Sequence, residues 1–177
     1  MLPDVNSLVV SAGRKKTTTN DLIVIASLVD RVPNLGGLCR TCEVLGVRDF
    51  VLSSLRVTEE KDFVSLSVSA EKWINVLEIK PFQLVEYVKQ LKLEGYTVVG
   101  AEQTASSQPL NHFTFPKKSA LILGHEKEGI PVELIQHLDV CVEVPQEGII
   151  RSMNVHVTGA IFIWEYARQQ MGLSHVR

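Results

Sequence analysis

Residues 120–131 read ALILGHEKEGIP. An apolar run with no polar alternation enters Gly124, a charged stretch follows, and Gly129 and Pro131 mark the opening of a helix. A strand apolar on both sides belongs inside a sheet covered on both faces. Similar short, β-branched runs recur as DLIVIASL (21–28), FVLSS (50–54), NVLEIK (75–80), YTVVGAE (96–102) and VCVEV (140–144). Between them, Leu35–Leu45, Pro81–Leu93 and Pro131–His137 carry helical patterns, and Asn154–Gln170 reads as a longer closing helix. Strands alternating with helices predict an α/β domain built on a parallel sheet flanked by helices.

The 177 residues suffice for one domain with a sizeable core, and 45% hydrophobic with 21% charged residues is ordinary for a globular protein. Residues 1–19 are polar and rich in Thr and Lys, and are expected to form a loose arm with a short strand around Leu8–Ser11. Residues 20–177 then form the domain. No apolar run approaches the ~20 residues that cross a bilayer. The N-terminus lacks the basic-then-apolar order of a signal peptide, so the cytoplasm is the expected compartment, with a nuclear pool as the alternative. A net charge of −2 weighs against coating nucleic acid by charge alone, so a nucleic-acid substrate needs a specific site.

In parallel sheets, ligands bind beyond the carboxyl ends of the strands. Four polar, glycine-bearing segments follow strands here: VPNLGG (32–37), EQTASS (102–107), GHEKEG (124–129) and PQEGIIRSMN (145–154). Just beyond the first stands a C-x-x-C pair, Cys39 and Cys42. At about 100° per residue, Leu35, Leu38, Cys39, Cys42 and Leu45 share one arc of roughly 120°. Both thiols therefore belong to a core-facing stripe, and Arg40 projects about 140° away from Leu35. No second pair or His spacing completes a metal site, so no metal is expected.

Asn34 is suited to cap that helix, and Gly36 and Gly37 allow close approach by a backbone or ligand. Glu126 could organise a neighbouring arginine or hydroxyl, while Ser152 and Asn154 stand at the start of the last helix. In that helix Val157, Ala160, Ile161, Trp164 and Ala167 make one face, but Phe162 and Ile163 are apolar elsewhere. A helix greasy nearly all round needs more cover than one sheet face, from a partner subunit or from the chain's own loops.

Taken together, Asn34-x-Gly36-x₃-Arg40 with Gly46, LILGHEKEGIP, and VPQEGIIRSMNVHVTGAIFIWE resemble the three motifs of the SpoU/TrmH family of RNA ribose 2′-O-methyltransferases, in the SPOUT superfamily. The resemblance covers residues ~21–170 in order and spacing. It is similar most of all to members that methylate guanosine 18 of tRNA.

The resemblance implies a C-terminal trefoil knot, a homodimer without membrane or metal, and S-adenosylmethionine as cofactor, leaving as S-adenosylhomocysteine. It implies that Arg40 is the central catalytic residue, with Asn34 and Glu126 holding it and Ser152 and Asn154 arranging the pocket. Gly124, Val144, Ile149 and Met153 are expected to border the cofactor, with Gln103 and Thr104 near its adenosine. His156, where the family has a small residue, receives no role. Both ends are short, so RNA affinity is expected to be weak, with further RNA-binding surface in a longer parent protein. Ribosomal RNA as substrate, a catalytically silent RNA-binding domain, and a thiol oxidoreductase on Cys39 and Cys42 are the competing readings.

Overall fold

The structure, a computed structural model, describes residues 10–11 and 20–172. The expected arm therefore lies outside the described residues except for β1 (Val10–Ser11). The core strands are β2 (Ile23–Ile25), β3 (Asp49–Leu52), β4 (Asn75–Glu78), β5 (Thr97–Ala101), β7 (Ser119–Leu123) and β8 (Val140–Glu143), with β6 (Gln108–Pro109) at one edge. Their order is β1-β4-β3-β2-β7-β5-β8-β6, parallel throughout except for β1 against β4.

Successive residues of one strand feed opposite faces. Leu22, Val24 and Ala26 join a core with α1 (Val32–Val44) and α5 (Val155–Gln170). Ile23 and Ile25 join the second core, under α3 (Leu84–Leu93) and α4 (Val132–Ile135). Both faces are dry, which is why the strands read as unbroken apolar runs. Each large side chain so buried contributes about 1.5–3 kcal/mol.

Helix α1 differs from expectation at its start. It begins at Val32 with Arg31 as its N-cap, so Asn34 is not the cap but a residue of the first turn. Pro33 explains the shift: its fixed φ suits the first turn and its missing N–H is not needed there. The helix stops at Gly46, whose φ of +72° lets its N–H reach the Glu43 carbonyl while Val47 N–H reaches Cys42. Between these ends Leu35, Leu38, Cys39 and Cys42 are all buried. Burial, with Glu71 and Glu43 adding to it, pushes the Cys39 thiol well above its ordinary pKa, and burial does the same to Cys42. Both thiols stay protonated and serve as packing groups, which removes the basis for thiol redox chemistry.

One helix was not expected. Helix α2 (Lys61–Ser67) follows a 3₁₀ turn over Leu55–Glu59 and packs on α1. A Cβ on Gly36 would lie 2.7 Å from the Phe63 carbonyl oxygen, so this glycine is required by a neighbouring backbone rather than by a ligand.

In α5 the buried residues are Gly159, Phe162, Ile163, Tyr166 and Ala167. Of the face drawn from the sequence, Ala167 is buried and Ile161 packs against the core, while Val157 and Trp164 are 48% and 49% exposed. Polar pins decide the rotation. Tyr166 donates to the Lys117 carbonyl at 2.6 Å and accepts from Asp21 N–H at 3.2 Å, and burial pushes its pKa up to about 12.

Candidate active site

Three segments far apart in sequence meet where β2 and β7 end and α1 and α5 begin. The Glu126 carboxylate accepts the main-chain N–H groups of Asp30 and Arg31, each at 3.0 Å, and the Asn34 side-chain amide at 3.1 Å. Asn34 in turn accepts from the Asn154 amide at 3.0 Å. The Asn154 carbonyl oxygen caps α5, accepting from His156 N–H at 2.8 Å and Val157 N–H at 3.3 Å. Glu126 thus supplies an anion at the N-terminus of α1, where the helix dipole favours one. Burial acts to raise its carboxyl pKa, but the Asp30 and Arg31 amides and the Asn34 side chain outweigh it and hold the group below its ordinary value. This latch ties α1, the 124–130 loop and α5 together.

Beside the latch lies a cavity of about 270 Å³ at the carboxyl ends of β5, β7 and β8. Its apolar wall includes Leu123, Val142, Val144, Met153 and Phe162. The HEKEG stretch is a tight hairpin: His125 and Gly129 exchange two main-chain hydrogen bonds of 3.0 and 3.1 Å. Two glycines make it possible. At Gly124 an added Cβ would run into the backbone of Gly129 and Ile130, while Gly129 has a φ of +71° and sits against the Glu102 carboxylate. Glu102 supports the hairpin from β5, accepting Ile130 N–H at 2.8 Å and Gln103 N–H at 3.1 Å.

The residues singled out in the sequence fall into three groups. Gln103, Gly124, Glu126, Val144, Ser152 and Met153 line the cavity. Asn34 and Asn154 stand behind the wall, in the latch. Thr104, Ile149 and Arg40 are not brought to the lining: Thr104 is folded into a turn with Ser107, and Ile149 is 98% exposed. Arg40 is exposed on α1 and its side chain makes no hydrogen bond or ion pair with the described residues. Three contributors were missed: Glu102, the His125–Asp30 pair at 3.1 Å on the rim, and His156, which meets Thr41. Glu102 and His125 had a local signal, since each lies in a polar segment directly after a strand.

Among the described residues no group of three His, Cys, Asp or Glu side chains could hold a metal ion. No described helix is long and apolar enough to cross a membrane.

The model of the SpoU rRNA Methylase family matches residues 21–164. The chain is 60% identical over 160 residues to mouse tRNA (guanosine(18)-2′-O)-methyltransferase TARBP1, covering 90% of this chain and 10% of the mouse protein. To the Saccharomyces cerevisiae tRNA (guanosine(18)-2′-O)-methyltransferase it is 43% identical over 155 residues, covering 87% of this chain and 11% of the yeast protein. The chain therefore spans about a tenth of the length of these curated relatives. Its fold is similar to that of the Aquifex aeolicus TrmH/SpoU tRNA modifying enzyme, with a TM-score of 0.78, 24% identity, and 88% of this chain and 78% of the other covered. It is also similar to the AdoMet-bound rRNA methyltransferase of Sinorhizobium meliloti, with a TM-score of 0.74, 20% identity, and coverage of 89% and 59%. With its motifs gathered on a parallel sheet and its family model matched along most of its length, the chain belongs to the SpoU rRNA methylase family.

Proposed function

We propose that this chain is the catalytic domain of a tRNA ribose 2′-O-methyltransferase that uses S-adenosylmethionine and modifies guanosine 18. The observation that carries the reading is the Glu126–Asn34–Asn154 latch, which gathers all three motifs beside one cavity. The names of the mouse and yeast relatives support the tRNA substrate and the nucleotide.

The cavity suits the cofactor. Leu123, Val142, Val144, Met153 and Phe162 make an apolar wall that would suit an adenine ring, and Gln103 with the polar residues of the hairpin would serve the cofactor's polar edges. Gln103, Gly124, Val144 and Met153 would hold it, with Thr104 and Ile149 closing in from outside the present lining. When bound, S-adenosylmethionine supplies an electrophilic methyl group on a sulfonium. The chain's own task is to bring the ribose 2′-hydroxyl into line with it, so positioning supplies much of the acceleration.

Arg40 is assigned to that task. A guanidinium stays protonated at neutral pH, so Arg40 acts as a phosphate clamp and hydroxyl orienter; as the O–CH₃ bond forms and the sulfonium C–S bond breaks, the hydroxyl proton passes late to solvent water rather than to a neutral arginine. Asn34 and Glu126 fix the first turn of α1, Asn154 fixes the start of α5, and Ser152 faces the cavity to arrange the pocket.

The outward stripe of α5, with Val157 and Trp164 half exposed, is assigned to a homodimer interface. Trp164→Glu should shift the chain from dimer to monomer in light scattering. The C-terminal knot, the cytoplasmic location with a nuclear pool, and the division at residue 20 belong to the same reading.

The direct test incubates the chain, alone and within a protein of its relatives' length, with labelled S-adenosylmethionine and total RNA. Label at guanosine 18 of tRNA supports the proposal. Label confined to ribosomal RNA, or none with either protein, overturns it.

A further inference from the structure

His156 stands two residues after the α5 cap, and its ring lies on α1. A Cβ added at Gly37 would be 2.5 Å from the ring's Cε1 and Nδ1. The ring Nε2 is 2.9 Å from Thr41 Oγ1, one helical turn further along. Gly37 is therefore the seat of an imidazole, and Thr41 is its polar stop. Burial lowers the imidazole's pKa, which keeps it neutral and able to share one hydrogen bond with a hydroxyl.

Two ties thus join α1 to the start of α5: Asn34 to Asn154, and Thr41 to His156. They are seven residues apart on α1, about 10 Å along its axis. A single tie would leave a pivot, whereas two separated ties fix both the slide and the rotation of a helix. Arg40 lies inside the clamped span, about 60° around the helix from Gly37. Its own guanidinium has no partner among the described residues, so its placement depends on the helix that carries it.

We propose that His156 is a positioning residue that clamps the second turn of α1 against α5 and so sets where Arg40 stands relative to the cavity. The proposal rests on the methyltransferase reading above, and its test separates the two.

Steady-state methylation of tRNA, S-adenosylmethionine binding by calorimetry, thermal melting and amide exchange over residues 37–41 are compared across four variants. His156→Ala should lower kcat about tenfold to a hundredfold while leaving cofactor affinity within about twofold. His156→Gln, which can still reach Thr41, should recover part of the loss. Gly37→Ala should expel the ring and match His156→Ala, whereas adding Gly37→Ala to His156→Ala should cost nothing more, because the ring is already gone. Amide exchange across residues 37–41 should quicken in both single variants, whether or not RNA is present. If His156→Ala does not fold, Gly37→Ala and His156→Gln decide. A kcat within about threefold of the unsubstituted chain in Gly37→Ala or His156→Ala overturns the proposal, whatever the melting temperatures show. If the unsubstituted sequence methylates no RNA either alone or within the longer protein, the functional reading fails, while unchanged amide exchange in both single variants would sink the clamp alone.

Discussion

The cavity has two walls built in opposite ways. On the α1 side, Glu126, Asn34 and Asn154 form a closed chain of hydrogen bonds in which main-chain donors and amide groups are all used. On the other side, residues 145–153 make no hydrogen bond with the rest of the described chain, and Ile149 and Ile150 are 98% and 81% exposed. One wall is organised before anything binds. The other shows apolar side chains to solvent beside a pocket with an apolar floor. Preorganisation belongs where a charge must be aimed, and adaptability where a ligand must enter and leave.

The comparison is sharpest when one wall is broken at a time. Arg40→Ala should have the largest effect, lowering methylation about a hundredfold or more while cofactor binding stays unchanged. Normal methylation by that variant would remove Arg40 from the mechanism. Glu126→Ala should come next. It removes the acceptor of the exposed Asp30 and Arg31 amides and of the Asn34 side chain, so stability should drop by about 0.5–1.5 kcal/mol in chemical denaturation. Activity should fall with it by about tenfold, because the 124–130 loop is released from the first turn of α1 while the Asn34–Asn154 bond remains.

The open wall predicts the reverse pattern. Ile149→Ser should leave stability nearly untouched and weaken S-adenosylmethionine binding about threefold to tenfold in calorimetry. Trypsin should cut after Arg151 in the free chain, and saturating cofactor should slow that cut about fivefold or more. Equal cleavage rates with and without cofactor would mean that the segment does not close on it.

The same contrast explains what could be read from the sequence. The central strands were legible because Val24, Phe50 and Leu121 are buried on one face and Ile25, Val51 and Ile122 on the other, leaving no polar residue to blur the run. The cysteines were legible because a helical stripe is a local pattern. Helix α2 was not: only Phe63 and Ser67 are buried in it, while Val64 and Leu66 are exposed, so no stripe marks it. The rotation of α5 was not legible because a helix apolar all round has no preferred face, and Tyr166 chose one through partners 49 and 145 residues away. Asn34 reads as a cap in sequence, yet its side chain bonds Glu126 and Asn154, 92 and 120 residues along the chain. No local rule reaches that far. The family resemblance could set these residues side by side, but not which atom meets which. His156 went unassigned for the same reason, since its seat on Gly37 exists only once α1 and α5 are packed.

The smallest effect expected is the acid response of the latch, and its sign follows from Glu126 alone. The carboxyl is held below its ordinary pKa in the folded chain, so the unfolded chain binds its proton first as pH falls. Its contribution to stability is therefore complete above the ordinary glutamate value of about 4.3, and is lost as pH drops through the depressed folded value. Glu126→Gln keeps the side chain's shape and cannot titrate. Below that window the variant and the unsubstituted chain should converge in melting temperature, and at neutral pH the variant should melt lower. Other carboxylates titrate in the same range, but they do so in both proteins, so the difference between the two melting curves isolates this one group. A constant difference from pH 7 down to about 3 would mean that the carboxylate's charge adds nothing, and that the latch holds α1 by shape alone.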